Sequence, residues 1–223
     1  MGTLGVASVA AAGTAIAPKV AIAAVTKARY AMVIDTRRCS GCHACSVSCK
    51  SEYDVPLGGV RSWVEYVEYG EYPDVKRGFL PRLCNQCAVP PCVEVCPETP
   101  AATYQRESDG IVVVDADRCT GCAKCVTACP YDARFINPTK GDPALTKGVG
   151  VAEKCDFCLH RIENGVAPAC VNTCPGRARV FGDLSDPNSE VKKLIQNNKT
   201  VVLQRDKKTK PRVPDPPHQP QRP

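Results

Sequence analysis

Residues 119–130 read Cys119-Thr120-Gly121-Cys122-Ala123-Lys124-Cys125-Val126-Thr127-Ala128-Cys129-Pro130. The cysteines are separated by two, two and three residues. This spacing is the ligand run in which three thiolates bind one iron–sulfur cluster and the fourth binds a second cluster. The glycine leaves room for the backbone to approach inorganic sulfide, and the proline ends the run. The stretch therefore predicts one cluster here and a partner cysteine group elsewhere in the chain.

All 16 cysteines of the 223-residue chain fall into four groups of four, and each group begins with C-x2-C. Disulfides would not be expected to repeat that pair at the head of every group. The count predicts four [4Fe–4S] clusters, with a four-zinc structural module as the alternative from another class, because C-x2-C pairs also bind zinc. The groups are Cys39, Cys42, Cys45, Cys49; Cys84, Cys87, Cys92, Cys96; Cys119, Cys122, Cys125, Cys129; and Cys155, Cys158, Cys170, Cys174.

The composition agrees with a chain that is organised by cofactors. Only 5% of the residues are aromatic, so we expect the energy of cluster binding to replace part of a large apolar core. The formal net charge is +6 with every cysteine counted as neutral. Four oxidised clusters with their thiolates add about −8, which leaves about −2. The basic residues therefore do not indicate a nucleic-acid partner.

The cysteine groups are related by an internal repeat. Residues 33–42 match residues 113–122, and residues 91–97 match residues 168–175, so the chain is a tandem duplication of a unit with two cysteine groups. An apolar run at 31–35 and its counterpart before the third group predict short strands. A fourth thiolate lent to a neighbouring cluster allows two arrangements, sequential or nested pairing of the groups. Spacing alone does not choose between them.

The segments between and after the cysteine groups predict small elements. Residues 60–69 are rich in aromatic and β-branched residues and predict one strand of a hairpin. Residues 137–153 predict an exposed insertion that could serve as a docking surface. Residues 186–189 predict a helix start, followed by an apolar stripe at 191–195. The proline-rich tail, 205–223, is expected to be either disordered or an extended arm laid on another subunit.

The N-terminal segment, 1–28, predicts either an export signal or an arm packed on a partner. Residues 4–17 are apolar and too few to cross a bilayer as a helix. They suit the apolar region of a signal, with small-residue cleavage sites at 15–17 and 21–23. We expect the natural start to lie upstream and to carry a twin-arginine signal, the export route of proteins that fold around cofactors first.

Four motifs, at 84–97, 129–137, 155–161 and 178–187, carry a resemblance to a known family. Over about residues 30–204 the chain resembles the four-cluster, ferredoxin-like iron–sulfur (beta) subunits of complex iron–sulfur molybdoenzymes. Within that family it is most similar to the beta subunits of tetrathionate, polysulfide and thiosulfate reductases. The related extracytoplasmic, ferredoxin-like subunits of sulfite- and nitrite-reduction membrane complexes are similar as well.

The resemblance implies an α+β fold of duplicated two-cluster ferredoxin-like domains, loop-rich, with small β-hairpins and short helices. It implies an outer domain of residues 29–83 and 152–204, and an inner domain of residues 84–151. It also implies nested pairing, in which each cluster takes three cysteines of one group and one of another. The four sets are Cys39, Cys42, Cys45 and Cys174 for cluster 1; Cys155, Cys158, Cys170 and Cys49 for cluster 2; Cys84, Cys87, Cys92 and Cys129 for cluster 3; and Cys119, Cys122, Cys125 and Cys96 for cluster 4.

The function that the resemblance implies is electron transfer within a respiratory oxidoreductase, without catalysis by this chain. The expected partners are a catalytic subunit with molybdopterin and a membrane quinone-interacting or cytochrome subunit. The expected location is the extracytoplasmic face of the membrane, rather than the cytoplasm. No catalytic residue is predicted, because the chain contains neither a nucleotide-binding glycine motif nor a nucleophile elbow. We interpret Arg38 and Arg118, each directly before a first cysteine, as surface charges, with tuning of a cluster potential as the alternative.

Overall fold

A computed structural model describes residues 27–214 of the chain. The predicted signal or arm lies outside the described residues, apart from its last two. Within 27–214 the chain forms four two-stranded antiparallel sheets and seven α-helices, five of which have only four residues. The predicted α+β class, with small hairpins and short helices, is confirmed.

Three of the sheets are formed by consecutive strands, and the fourth pairs the first strand with the last. β2 pairs with β3, β4 with β5 and β6 with β7, whereas β1 pairs with β8. The strands predicted at 31–35 and before the third cysteine group are confirmed as β1 and β5, and residues 60–69 contain β2. The strands are β1 Tyr30–Ile34, β2 Ser62–Tyr69, β3 Lys76–Leu83, β4 Thr103–Gln105, β5 Val112–Val114, β6 Phe135–Asn137, β7 Val151–Glu153 and β8 Arg179–Asp183.

Three of the four-residue helices, α2, α3 and α6, end just before the Cys-Pro pair that closes a cysteine group, because proline cannot continue a helix. Lys50, rather than proline, follows Cys49, and α1 therefore continues past the last cysteine of its group. No helix in the described range is long and apolar enough to cross a membrane. The helices are α1 Ala44–Tyr53, α2 Pro91–Glu94, α3 Lys124–Thr127, α4 Pro143–Thr146, α5 Leu159–Ile162, α6 Ala169–Asn172 and α7 Glu190–Asn197.

Strand β1 separates two parts of the core. Its side chains alternate, as they do in any strand: Met32 and Ile34 pack among cysteines, while Ala31 and Val33 pack against Val191 of α7. The apolar stripe predicted for this helix is therefore confirmed. The predicted helix start is displaced, because the N-cap is the last residue of 186–189 rather than its first.

The predicted domain boundaries remain a prediction, and the sheets relate to them in different ways. The β1–β8 sheet joins the two segments assigned to the outer domain, and β4–β5 lies within the inner domain. The β6–β7 hairpin crosses the boundary between residues 151 and 152. The side-chain amide of buried Asn137 donates a hydrogen bond of 2.8 Å to the carboxylate of buried Glu153, and this bond links the first and last residues of the predicted insertion. The predicted insertion at 137–153 is thus buried at both ends, and exposed residues lie in its middle.

Part of the C-terminal tail differs from the expectation of disorder or contact with another subunit. Residues 209–214 lie along their own chain. Met32 donates its backbone N–H to the carbonyl of Arg212 at 3.1 Å, and Val89 donates to Thr209 at 3.1 Å. Val213 is only 3% exposed. The prolines of this segment have no backbone N–H and cannot donate a hydrogen bond. The carbonyl oxygens of the segment still accept hydrogen bonds from the N–H groups of a strand. Residues 215–223 lie outside the described range.

Candidate iron–sulfur sites

All four C-x2-C loops share one backbone feature. The residue before the second cysteine has a positive φ in every loop: 71° at Gly41, 45° at Gln86, 70° at Gly121 and 60° at Phe157. A single left-handed residue turns the chain tightly and exposes neighbouring N–H groups to one centre. The shared turn therefore gives each group the same start to a cluster-binding loop.

Three cavities are each lined by four cysteines. Their volumes, about 340, 320 and 290 Å³ in chain order, are similar, as expected for three sites of the same kind. In each cavity, three of the sulfurs come from one group and the fourth comes from another. The sets are Cys39, Cys42, Cys45 and Cys174; Cys84, Cys87, Cys92 and Cys129; and Cys96, Cys119, Cys122 and Cys125.

The remaining four cysteines are neighbours as well. Helix α1, which carries Cys49, packs on α6, which carries Cys170. Burial raises the pKa of the Cys49 thiol to about 12, and the nearby thiols of Cys170 and Cys158 add to that shift. Cys155 lies close to Cys49 in the same way. The structure therefore brings together the four sets of cysteines that nested pairing names, while ligation by those sets stays a prediction.

Backbone N–H groups point at several of the sulfurs. Ala178 donates to Sγ of Cys174 at 3.3 Å, Phe157 to Sγ of Cys155 at 3.4 Å and Ala152 to Sγ of Cys119 at 3.4 Å. Such bonds favour the thiolate over the thiol and influence the potential of a cluster that the sulfur binds.

The chemistry of these sites fits iron–sulfur clusters. Each set offers four sulfur donors. Most of the thiols are buried in surroundings that disfavour a free thiolate, and burial raises the pKa of Cys87, for example, to about 12. A bound metal centre supplies the positive charge that deprotonates such thiols. Beside the first cavity, Nη1 of buried Arg179 has no hydrogen-bond partner in the protein, so a donor is available to a bound sulfide.

Sequence reasoning missed four basic side chains that lie buried near the cysteines. Arg61, Arg134, Lys154 and Arg179 are 7%, 5%, 2% and 2% exposed. Arg61 is balanced by carboxylates, because it pairs with Glu153 at 3.5 Å and with Asp156 at 3.7 Å. A signal for two of the others was present, since the third and fourth groups both continue as Cys-Pro-x-x-Ala-Arg.

Lys154 lies between the cysteines of cluster 2, which include Cys155, and those of cluster 3, which include Cys84. Its Nζ donates to the carbonyl of Cys155 at 2.9 Å and also to the carbonyl of Val112. Burial lowers the pKa of this ammonium group, and the thiol of Cys84 opposes that shift. The side chain thus connects the Cys155 loop of cluster 2 to strand β5, whose Val112 lines the cavity of cluster 3.

Of the two residues that were interpreted as surface charges, Arg38 is exposed and Arg118 has an acidic partner. Arg118 pairs with Asp115 at 2.5 Å, and its side chain is 35% exposed. Among the histidines within 27–214, Nε2 of His43 lies 3.2 Å from the hydroxyl of Tyr66, and Nε2 of His160 lies 2.7 Å from a carboxylate oxygen of Glu52. These contacts account for the side chains without a ligand role.

Known relatives match this chain over most of its length. A family model described as a 4Fe-4S dicluster domain matches residues 75–184. The chain is 49% identical over 189 residues to the B subunit of tetrathionate reductase from Salmonella typhimurium, covering 83% of this chain and 71% of that protein. It is 38% identical over 188 residues to the B chain of polysulfide reductase from Wolinella succinogenes, covering 83% and 92%.

A third relative is also similar. Protein NrfC of Escherichia coli is 42% identical over 187 residues, covering 83% of this chain and 79% of that protein. These relatives, together with the cysteine sets, support iron–sulfur clusters over the four-zinc alternative. This protein belongs to the family of iron–sulfur beta subunits of complex iron–sulfur molybdoenzymes, and it is an electron-transfer subunit with four [4Fe–4S] clusters rather than a catalytic subunit of its reductase complex.

Proposed function

We propose that this chain relays electrons between a membrane quinone-interacting or cytochrome subunit and a molybdopterin-containing subunit that reduces or oxidises a sulfur compound. Each cluster supplies one-electron redox chemistry when it is bound. The protein holds the clusters at fixed positions and sets their potentials through sulfur hydrogen bonds, nearby charge and access of water. We further propose the nested ligand sets, in which Cys49, Cys96, Cys129 and Cys174 are the residues exchanged between groups.

The main support for the relay is the solvent exposure of the cysteines, which differs among the four sites. Cys42 in the first site and Cys122 in the fourth are exposed. The cysteines of the second site are all buried, and so are three of the four in the third. Two open sites with two closed sites between them suit a path on which electrons enter at one end and leave at the other.

The chain itself supports an order for that path. Arg179 contacts the second site and lines the first, Lys154 lies between the second and third, and Arg134 contacts the third and the fourth. The sites therefore follow one another as 1, 2, 3 and 4. This order keeps each electron within reach of the next site while the middle sites are shielded from solvent.

A sulfur compound is the substrate class that we favour for the catalytic partner, because tetrathionate and polysulfide reductase subunits are among the relatives. The similarity to NrfC supports a second candidate, a complex of nitrite or sulfite reduction. We place the complex on the extracytoplasmic face of the membrane. N-terminal sequencing of the native protein tests that location, and an intact Met1 on the mature chain would contradict it.

The experiment that tests the relay uses the complex as it is isolated from membranes. The clusters are reduced without oxygen, and tetrathionate, thiosulfate, polysulfide, sulfite or nitrite is added while absorbance near about 400 nm is followed. We expect a sulfur compound to reoxidise the clusters only when a molybdenum-containing subunit is present. Reoxidation by nitrite or sulfite alone would favour the second candidate. Equal reoxidation of the separated chain, or the absence of any larger partner, would contradict the relay.

A further inference from the structure

Two buried arginines occupy the same position relative to the last cysteine of their groups. Arg134 lies five residues after Cys129, and Arg179 lies five residues after Cys174. The corresponding positions after the first and second groups hold Asp54 and Ala101, so the pair occurs in the second half of the chain only. The two arginines are 5% and 2% exposed. Charged side chains are rarely this buried without partners, and their surroundings therefore indicate what balances them.

Arg134 contacts cysteines of two different sites. Its Nη2 donates to Sγ of Cys92 at 3.1 Å, and its Nη1 donates to the hydroxyl of Thr103 at 3.2 Å. Thr103 lines the cavity of the fourth site, and the guanidinium lies close enough to the Cys125 thiol to interact with it electrostatically. Cys92 belongs to the third site and Cys125 to the fourth, so one planar cation bridges both.

Arg179 has the same relationship to the other two sites. It interacts electrostatically with the thiol of Cys170 in the second site, and it lines the cavity of the first site beside Cys45. Its Nη2 donates to the carbonyl of Arg82 at 3.5 Å, whereas its Nη1 is a buried donor without a partner in the protein. An unpartnered buried donor requires an acceptor, and a cluster sulfide at this cavity would provide one.

Neither arginine is paired with a carboxylate within the described range 27–214. A guanidinium is a permanent cation in proteins. The negative charge that balances Arg134 and Arg179 is therefore supplied by the cysteine sites themselves.

We propose that Arg134 and Arg179 are inter-cluster cations, each of which raises the potential of two clusters together. The proposal rests on the cysteine sets of the proposed function. Addition of an electron makes a cluster more negative, and a fixed cation in contact with two sites favours the reduced form at both. It also weakens the repulsion between two reduced neighbours, because each of them is attracted to the charge that lies between them.

The test is a redox titration of the complete complex, followed by EPR, with Arg134→Gln and Arg179→Gln. We expect Arg134→Gln to shift two centres toward the oxidised form by at least tenfold in the reduction equilibrium, about 59 mV for a one-electron couple. The other two centres should not move, and Arg179→Gln should shift those two instead. Arg118→Gln is the matched control, since this partly exposed arginine lies directly before Cys119 but is paired with Asp115. It should leave all four potentials unchanged.

Arg134→Lys and Arg179→Lys separate charge from structure. Each keeps the cation, so the potentials should return close to those of the wild type even where the glutamine variant binds less iron. A shift confined to one centre, a uniform shift of all four, or no shift with a full iron content would overturn the proposal. Reoxidation by the complex's own substrate, measured on the same preparations, would still report the relay, so failure of this inference is distinguishable from failure of the proposed function.

Discussion

The side-chain amide of Gln86 donates a hydrogen bond to the carbonyl oxygen of Cys155 at 2.7 Å. The amide oxygen of the same side chain accepts from the backbone N–H of Val112 at 2.8 Å. Gln86 is fully buried and lies in the left-handed turn of the second cysteine group. One side chain thus connects that group to the loop of the fourth group and to strand β5.

Replacing Gln86 with leucine should destabilise the protein, because it leaves the buried N–H of Val112 without a partner and leaves the carbonyl of Cys155 with Lys154 alone. An unsatisfied buried N–H costs about 1–3 kcal/mol. We expect cluster release at a fixed guanidinium concentration, read as loss of absorbance near about 400 nm, to accelerate by about tenfold or more. Gln196→Leu, on the exposed side of α7, is the control. Equal rates for the two variants would show that the Gln86 bonds contribute nothing.

Gly121→Ala should prevent assembly of the fourth site. An alanine Cβ at this position would lie 2.3 Å from the carbonyl oxygen of Gly150, and φ is +70°. Gly165 has the same φ of +70° but open space around it, so Gly165→Ala imposes the backbone strain without the clash. We expect Gly121→Ala to lose about a quarter of the iron, that of one cluster in four, and Gly165→Ala to keep all of it. Equal iron contents in the two variants would show that the close contact of residue 121 with the Gly150 carbonyl oxygen does not affect assembly of the fourth site.

The hydroxyl groups of Tyr131 and Thr209 form a buried pair that fastens the C-terminal segment. Tyr131 is 1% and Thr209 is 4% exposed. Tyr131→Phe and Thr209→Val should each destabilise the protein by about 1 kcal/mol, because each removes one partner of a buried hydrogen bond. The double variant should cost clearly less than the sum of the single variants. Additive effects on cluster release would indicate that the two hydroxyls act independently.

Local features of this fold could be predicted from the sequence because their causes are local. Cysteine spacing identified the four cysteine groups, and runs of β-branched residues identified β1, β5 and the β2 strand. Glycine is the residue type most typical of the left-handed turn found at Gly41 and Gly121. The same turn at Gln86 and Phe157 was not predicted, because neither residue type signals a left-handed conformation and only tertiary contacts hold them in it.

Long-range relationships could not be predicted in this way. The pairing of β1 with β8 and the course of residues 209–214 depend on segments that lie far apart in the sequence. The buried arginines were missed for a related reason. A basic residue after a cysteine motif is most often a surface charge, and only the packed structure shows Arg134 between Cys92 and Cys125.

The measurement that tests the central claim most directly compares Cys129→Ser with Cys119→Ser by EPR of the reduced protein. The two cysteines belong to one sequence motif, but they lie in different cavities. We predict that Cys129→Ser perturbs the centre that is also perturbed by Cys84→Ser, and that Cys119→Ser perturbs the centre shared with Cys96→Ser. If Cys129→Ser and Cys119→Ser perturbed the same centre, the nested arrangement of the four clusters would be wrong.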